Sequence, residues 1–201
     1  MIHFLGKLPN RCGVACSGGV DSMAILNFLT RDKKRDVSCL YFNHGTEHSI
    51  KTEKFVREYC LKNDIPYVTS EYTGPQPTSN KEDFWREIRY DFLKSFDYPV
   101  ITCHHLNDQV ETWLFTSIKH VGKLIPYQNE NIIRPFLITS KSDLASWCDK
   151  HTVPYINDPS NESMEHMRNY IRHELIHMVK HINPGIDKMI YKKILELNKN
   201  V

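Results

Sequence analysis

Short apolar runs alternate with stretches of helical periodicity along most of the chain, and this alternation constrains the fold more than any other feature. Arg11 to Cys16, Val37 to Phe42, Pro66 to Ser70, Pro99 to Cys103 and Asn131 to Pro135 read as strands. Between them, Asp21 to Thr30, Ile50 to Asn63, Lys81 to Phe96 and Leu106 to Lys119 carry apolar residues at helical spacing. Ser140 to Asp143 has a capping-box pattern and opens a further helix, Asp143 to Lys150. After the turn-forming stretch Asp158 to Ser163 come two more helices, from His166 to His181 and from Pro184 to Leu197. Pro184 suits a first helical position behind Asn183. The pattern predicts an α/β fold with a parallel sheet of about five strands, sandwiched by helices and followed by a helical C-terminal extension. In such sheets ligands bind beyond the carboxyl ends of the strands.

At 201 residues, with 40% hydrophobic and 25% charged residues, the chain suits one globular body with an appendage. The expected division is residues 1–162 for the body and 163–201 for a basic helical extension packed on it. No apolar run is long enough to cross a bilayer, and Met1 to Lys7 lacks the apolar core of a signal peptide. A cytoplasmic protein without a membrane partner is expected. None of the six cysteines forms a C-x-x-C pair, which argues for reduced core thiols over a zinc or iron–sulfur site. The formal charge is +2. Residues 163–201 hold seven Lys and Arg against four acids, so this end carries +3 and the remainder −1. A basic end suits a polyanionic partner, and a solvated helix face gives the same count.

Ser17-Gly18-Gly19-Val20-Asp21-Ser22 stands directly behind the first strand, at the mouth of the first helix. Adjacent glycines allow left-handed backbone and the close approach of a ligand. Successive N–H groups then converge at the positive end of the helix, which is how phosphate is held. Ser17 and Ser22 add hydroxyl donors. Asp21 cannot face phosphate without repulsion, so a magnesium ion or a substrate amine is the partner it suits. An ordinary strand-to-helix turn explains Gly-Gly alone, but the six-residue string is more specific. It resembles the PP-loop of enzymes that split ATP into AMP and pyrophosphate. It is neither a Walker A loop nor a G-x-G-x-x-G turn.

Further segments, in order, resemble one branch of that superfamily, the tRNA(Ile)-lysidine synthetases. Asn43-His44-Gly45 with Ser49 follows the second strand, and Glu82, Arg86, Arg89 and Tyr90 fit E-x-x-x-R-x-x-R-Y. His104-His105-Leu106-Asn107-Asp108-Gln109-Val110-Glu111-Thr112 fits H-H-x-D/N-D-Q-x-E-T. Asp158-Pro159-Ser160-Asn161 with Arg168-Asn169-Tyr170-Ile171-Arg172 fits D-P-S-N…R-N-x-x-R, and Ile133-Arg134-Pro135-Phe136 is similar to I-R-P-L. Singly, each has a plain reading: a Ser79–Glu82 capping box, surface arginines, first-turn acids at Asp108 and Glu111, a solvated Arg168/Arg172 face. His104 and His105 do not suggest a metal site, because adjacent side chains rarely point at one ion.

The resemblance implies a Rossmann-like, adenine nucleotide alpha hydrolase-like domain that uses ATP and Mg2+. It implies that the wobble cytidine of tRNA(Ile) with a CAU anticodon is adenylated and joined to L-lysine, giving lysidine, AMP and pyrophosphate. Ser17, Gly18, Gly19, Val20, Asp21 and Ser22, with His44, His104, His105 and Arg168, would surround the nucleotide. Asp21 would hold magnesium or the lysine amine, for which Glu111 is a second candidate. Asp108 would face the same site, and Arg89 with Arg168 or Arg172 would stabilise the transferring phosphoryl group. A homodimer is expected by analogy. Asn43 and Asn107 depart from the Asp of many relatives, Tyr41 from a common His, and His120-Val121-Gly122-Lys123 shortens a glycine-rich stretch. Relatives continue into tRNA-gripping domains, so a compact form or a catalytic fragment is expected. The competing readings are another PP-loop ATP pyrophosphatase with a different acceptor and a nucleotide-binding subunit without catalysis.

Overall fold

The computed structural model describes residues 1–78, 81–157 and 167–201, without the side chain of Glu82. The Asp158-Pro159-Ser160-Asn161 string and the Ser79–Glu82 cap lie outside the described residues. Strands β1 (Arg11–Ala15), β2 (Asp36–Asn43), β3 (Tyr67–Glu71) and β4 (Val100–Thr102) alternate with α1 (Val20–Thr30), α2 (Glu47–Lys62) and α3 (Lys81–Lys94). After β4 come α4 (Leu106–Lys119), the hairpin β5 (Gln128–Asn129) and β6 (Ile132–Ile133), and α5 (Lys141–His151). The C-terminal helices are α6 (Met167–Tyr170), a π-helical turn (Ile171–Leu175), α7 (Ile176–Ile182) and α8 (Ile186–Leu197).

The sheet order is β3-β2-β1-β4-β6-β5, parallel except for β5, which runs antiparallel to β6. Six strands thus replace the expected five or so. Glu130, at φ 56°, closes the tight hairpin that adds β5. The expected strand Asn131 to Pro135 shrinks to Ile132–Ile133, since Pro135 has no N–H for a ladder. From β1 the chain builds outward through β2 to β3, then crosses back to place β4 on the other side of β1. The carboxyl ends of β1 and β4 therefore face connections that leave in opposite directions, which opens a crevice there.

Both faces of the sheet are covered, as a parallel sheet requires. One side packs Val14, Cys39 and Ile101 against Met23, Ile25 and Leu26 of α1, Val56 of α2 and Leu144 of α5. The other packs Leu40, Val100 and Ile132 against Tyr90 and Leu93 of α3. Ile171, Ile176, Ile186, Ile190 and Ile194 share a third apolar cluster with Val110 and Leu114 of α4. All six cysteines are free, and only Cys103 is not fully buried.

Helix starts follow side-chain caps more than apolar periodicity. α2 begins at Glu47, ahead of the expected Ile50, because Thr46 and Ser49 form a reciprocal capping box. Ser140 caps α5, but only half of the expected box forms. The Asp143 carboxylate accepts from the Ser140 hydroxyl and pairs with the chain's amino terminus. Pro184 falls outside α8: the Asn183 side chain accepts the Gly185 N–H at 3.0 Å, and the helix starts one residue later. Among the described residues no helix is long and apolar enough to cross a membrane.

Candidate active site

The Ser17–Ser22 loop links the end of β1 to the first turn of α1, at the crevice between β1 and β4. Its two glycines differ. Gly18 has φ 80°, and a Cβ there would lie 2.5 Å from the Thr52 Cγ2 of α2. Gly19 is extended, not left-handed, and its Cβ would meet nothing closer than Ser17 Oγ at 3.6 Å. Backbone strain and protein packing thus account for Gly18 only. Ser22 turns inward: its hydroxyl donates to the Gly19 carbonyl at 2.9 Å and accepts the Ser17 N–H at 3.2 Å. It braces the loop from behind instead of offering its hydroxyl hydrogen to a ligand. The Ile156 N–H holds the Gly18 carbonyl at 2.9 Å from the other side. The first-turn N–H groups of α1 have no carbonyl within the helix to bond, so they remain available to an anion.

Asp21, in that first turn, has one carboxylate oxygen facing the Nε2 of His105 at 3.4 Å. Its other oxygen is buried without a partner among the described residues. His105 is the N-cap of α4. Its Nδ1 accepts the Asp108 N–H, while Asp108 accepts the His105 N–H at 2.8 Å. This network assigns the Nε2–H tautomer, with that proton directed at Asp21. Burial alone would raise the Asp21 carboxyl, but the His105 bond and the charges of His105, Lys141 and Arg172 hold it below the ordinary carboxylate range. Burial alone would lower His105, and Asp108 and Asp21 more than reverse that.

Asp108 and Glu111 stand one layer behind. Arg172 in the π-helical turn grips Glu111 with two bonds of 2.8 Å and lies 3.9 Å from Asp108. The pairing raises the Arg172 pKa further. Both Glu111 oxygens are thereby taken, so of the two acids considered for the lysine amine Asp21 is the one that keeps an unpartnered oxygen among the described residues. The π register matters here. The Ile176 N–H reaches the Ile171 carbonyl, five residues back, and the widened turn re-aims Arg172. Arg168 lies exposed on α6, next to residues outside the description.

A cavity of ≈ 640 Å³ opens above the loop and the ends of β1, β2 and β4. Among its described lining residues Asp21 is the one carboxylate and Arg89 the one arginine or lysine. His104 lines the cavity, but His105, its neighbour, does not. The Nδ1 of His104 lies 3.0 Å from the Thr102 hydroxyl. Burial, then the charges of Arg134, Arg89 and Arg86, push its pKa down to about 3, so it is neutral at physiological pH. At the far end His44 stacks edge-on between Phe42 and Trp85, with ring centroids 5.1 and 4.9 Å away.

The site gathers residues that local pattern had not singled out. Arg134, noted only within the I-R-P stretch, is 2% exposed and donates to the Tyr90 hydroxyl at 3.2 Å. Thr52 and Ile156 shape the loop, and no sequence signal marks either. Two departures from the family pattern find structural reasons. The Asn43 amide donates to Glu53 at 2.6 Å and accepts from Gly45 and Ser49, whereas an aspartate would face the Glu53 carboxylate. Asn107 only accepts, from the Lys141 N–H at 2.9 Å, a role open to either residue. Among the described residues no group of three His, Cys, Asp or Glu forms a metal site. The open Asp21 oxygen does fit magnesium, which takes one or two carboxylates and completes its shell with phosphate and water.

Known proteins agree with this geometry. Over 95% of the chain, the fold matches an NH3-dependent NAD synthetase from Campylobacter jejuni, solved with nitrate. The TM-score is 0.51 with 12% identity, and 86% of that chain is covered. The chain is 33% identical over 198 residues to a tRNA(Ile)-lysidine synthase of Thermotoga maritima, covering 90% of this chain and 48% of that protein. It is 30% identical to the enzymes of that name from Enterococcus faecalis and Petrotoga mobilis, with 85% and 88% of the chain and 41% and 62% of each relative covered. It spans about half the length of such curated relatives, 48% in each of two Thermotoga proteins. With the family model for the PP-loop domain matching residues 3–179, the chain belongs to the PP-loop family.

Proposed function

We propose that this domain activates the wobble cytidine of tRNA(Ile) bearing a CAU anticodon with ATP and joins it to lysine. The observation that carries the reading is the Asp21 carboxylate, ionised and half-buried at the mouth of the PP-loop, with one buried oxygen unpartnered among the described residues. The names of the relatives support the acceptor. The cytidine 2-carbonyl oxygen attacks the α-phosphorus, and pyrophosphate leaves. The lysine side-chain amine then attacks C2, AMP departs with the oxygen, and the nitrogen gives up its proton.

Each step has a local physical requirement. Pyrophosphate needs the N–H groups around Gly19 and the positive end of α1. A carboxylate held below its usual range is a weak base at neutral pH, so Asp21 serves by binding a cation, either magnesium on the phosphates or the incoming ammonium. Magnesium at Asp21 would supply charge neutralisation between phosphate oxygens. Arg89 supplies a guanidinium at the cavity wall, where charge develops on the transferring group. His105, Asp108, Arg172 and Glu111 hold Asp21 in place from behind.

The test is incubation with ATP, labelled lysine and tRNA(Ile) transcripts. Label incorporated into CAU transcripts, and not into a variant anticodon, is the expected result. Pyrophosphate release without lysine incorporation would redirect the proposal to a different acceptor. ATP binding without turnover would favour a nucleotide-binding subunit.

A further inference from the structure

Arg134 is a buried cation with no counter-charge among the described residues. It is 2% exposed, yet among the described residues no carboxylate lies within ion-pair distance. One terminal nitrogen donates to the Pro126 carbonyl at 2.9 Å and the other to the Tyr90 hydroxyl at 3.2 Å, while Nε has no partner among the described residues. Buried charges are ordinarily paired, because leaving water without a counter-ion is costly. Arg134 does not itself line the cavity; Tyr90 does, beside Arg89 and His104.

Tyr90 is therefore the surface through which this charge is felt. Its oxygen accepts from Arg134, and its own hydrogen has no acceptor among the described residues. The Arg86 guanidinium lies 4.7 Å from the ring centroid. Burial would raise the phenol pKa, but the Arg134 bond and the charges of Arg134, Arg86 and Arg89 bring it below the ordinary value, which sharpens it as a donor. Burial, and then the same charges, keep the neighbouring His104 neutral.

We propose that Tyr90, charged from behind by Arg134 and flanked by Arg89, forms a second anion subsite across the cavity from the PP-loop. It takes a carboxylate or phosphate oxygen through the Tyr90 O–H. The inference rests on the reading of the cavity as a site where ATP and an amino acid meet. The amino acid's α-carboxylate and a nucleotide phosphate are the two sources of that anion.

Tyr90→Phe keeps the ring beneath Arg86 and removes only the hydroxyl. Calorimetry on the full chain would compare wild type and variant with ATP, with lysine in the presence of a non-hydrolysable ATP analogue, and with 1,5-diaminopentane, which is lysine without its carboxylate. A carboxylate at Tyr90 predicts lysine binding weakened at least about tenfold, diaminopentane and ATP unchanged. A phosphate predicts ATP weakened by about the same factor, with the lysine-to-diaminopentane ratio unchanged. Unchanged affinities, or equal weakening of all three ligands, would overturn the subsite. If Tyr90→Phe does not fold, Arg134→Gln, which keeps donor groups and removes the charge, is expected to give the same split in weaker form. These are binding measurements, so they stand even if wild type modifies no tRNA. That failure would count against the proposed function alone.

Discussion

Replacing each loop glycine by alanine should separate the fold from the ligand. At Gly18, φ is 80° and the new Cβ would sit 2.5 Å from Thr52 Cγ2. The left-handed conformation costs an L-residue about 1–2 kcal/mol. Thr52 is buried, so α2 or the loop must shift, which adds about 1–3 kcal/mol. At about 2–4 °C per kcal/mol for a chain of this size, Gly18→Ala should lower Tm by roughly 4–20 °C. Gly19 has φ −75°, and its nearest neighbour would be 3.6 Å away. Alanine is a poorer N-cap than glycine by about 0.5–1 kcal/mol, which roughly offsets the ~0.4–1 kcal/mol gained from a stiffer unfolded chain. Gly19→Ala should therefore melt within about 2 °C of wild type. Its methyl would occupy the space left for phosphate, so the stabilisation by saturating ATP should disappear. Thermal melts of the three proteins with and without ATP read both effects. A wild-type ATP shift in Gly19→Ala would refute the close approach of ligand to Gly19. A wild-type melt of Gly18→Ala would refute the account of the loop.

Asn43→Asp should destabilise by about 1–3 kcal/mol, because the Glu53 carboxylate then meets another acceptor, whereas Asn107→Asp should stay within about 0.5 kcal/mol; urea unfolding compares them. Removing Arg172 as Arg172→Met leaves the largely buried Glu111 carboxylate without its partner. The full cost of about 3–5 kcal/mol applies to a wholly buried pair. Arg172 is 29% exposed, so about 2–3 kcal/mol is expected, with Arg172→Met/Glu111→Leu costing less than the sum of the single changes. His104 is depressed by burial to about 3 from the ordinary histidine value of 6.5, so the unfolded chain binds its proton first. Its contribution is complete above pH 6.5 and is lost as pH falls toward 3, at up to about 1.4 kcal/mol per unit. His104→Gln should flatten that acid limb of stability. A His104 imidazole found protonated by NMR at pH 5 would contradict the assignment.

Much of this protein was legible in the chain because the governing forces are local. Strand and helix alternation follows from apolar spacing, and it placed four of the parallel strands and the helices between them within a few residues. The Ser17–Ser22 loop was legible because its chemistry depends on consecutive backbone N–H groups, and consecutive residues are what a sequence displays. Where pattern failed, the deciding contacts came from far along the chain. That Gly18 has no room for a side chain while Gly19 does depends on Thr52 in α2, and the Gly18 carbonyl is held by Ile156 beyond α5. Adjacent His104 and His105 part company because one ends on the cavity wall at β4 and the other caps α4.

The sequence by itself determined the class of fold, the phosphate loop and the family. Those are properties of short strings and of their order. The tertiary structure decided which acid remains open. A π-helical turn, invisible in residue periodicity, brings Arg172 onto Glu111 across 61 positions, so of Asp21 and Glu111 it is Asp21 that keeps an unpartnered oxygen among the described residues. It also decided that Arg134 is buried without a counter-charge among the described residues, since charge compensation is a sum over neighbours in space.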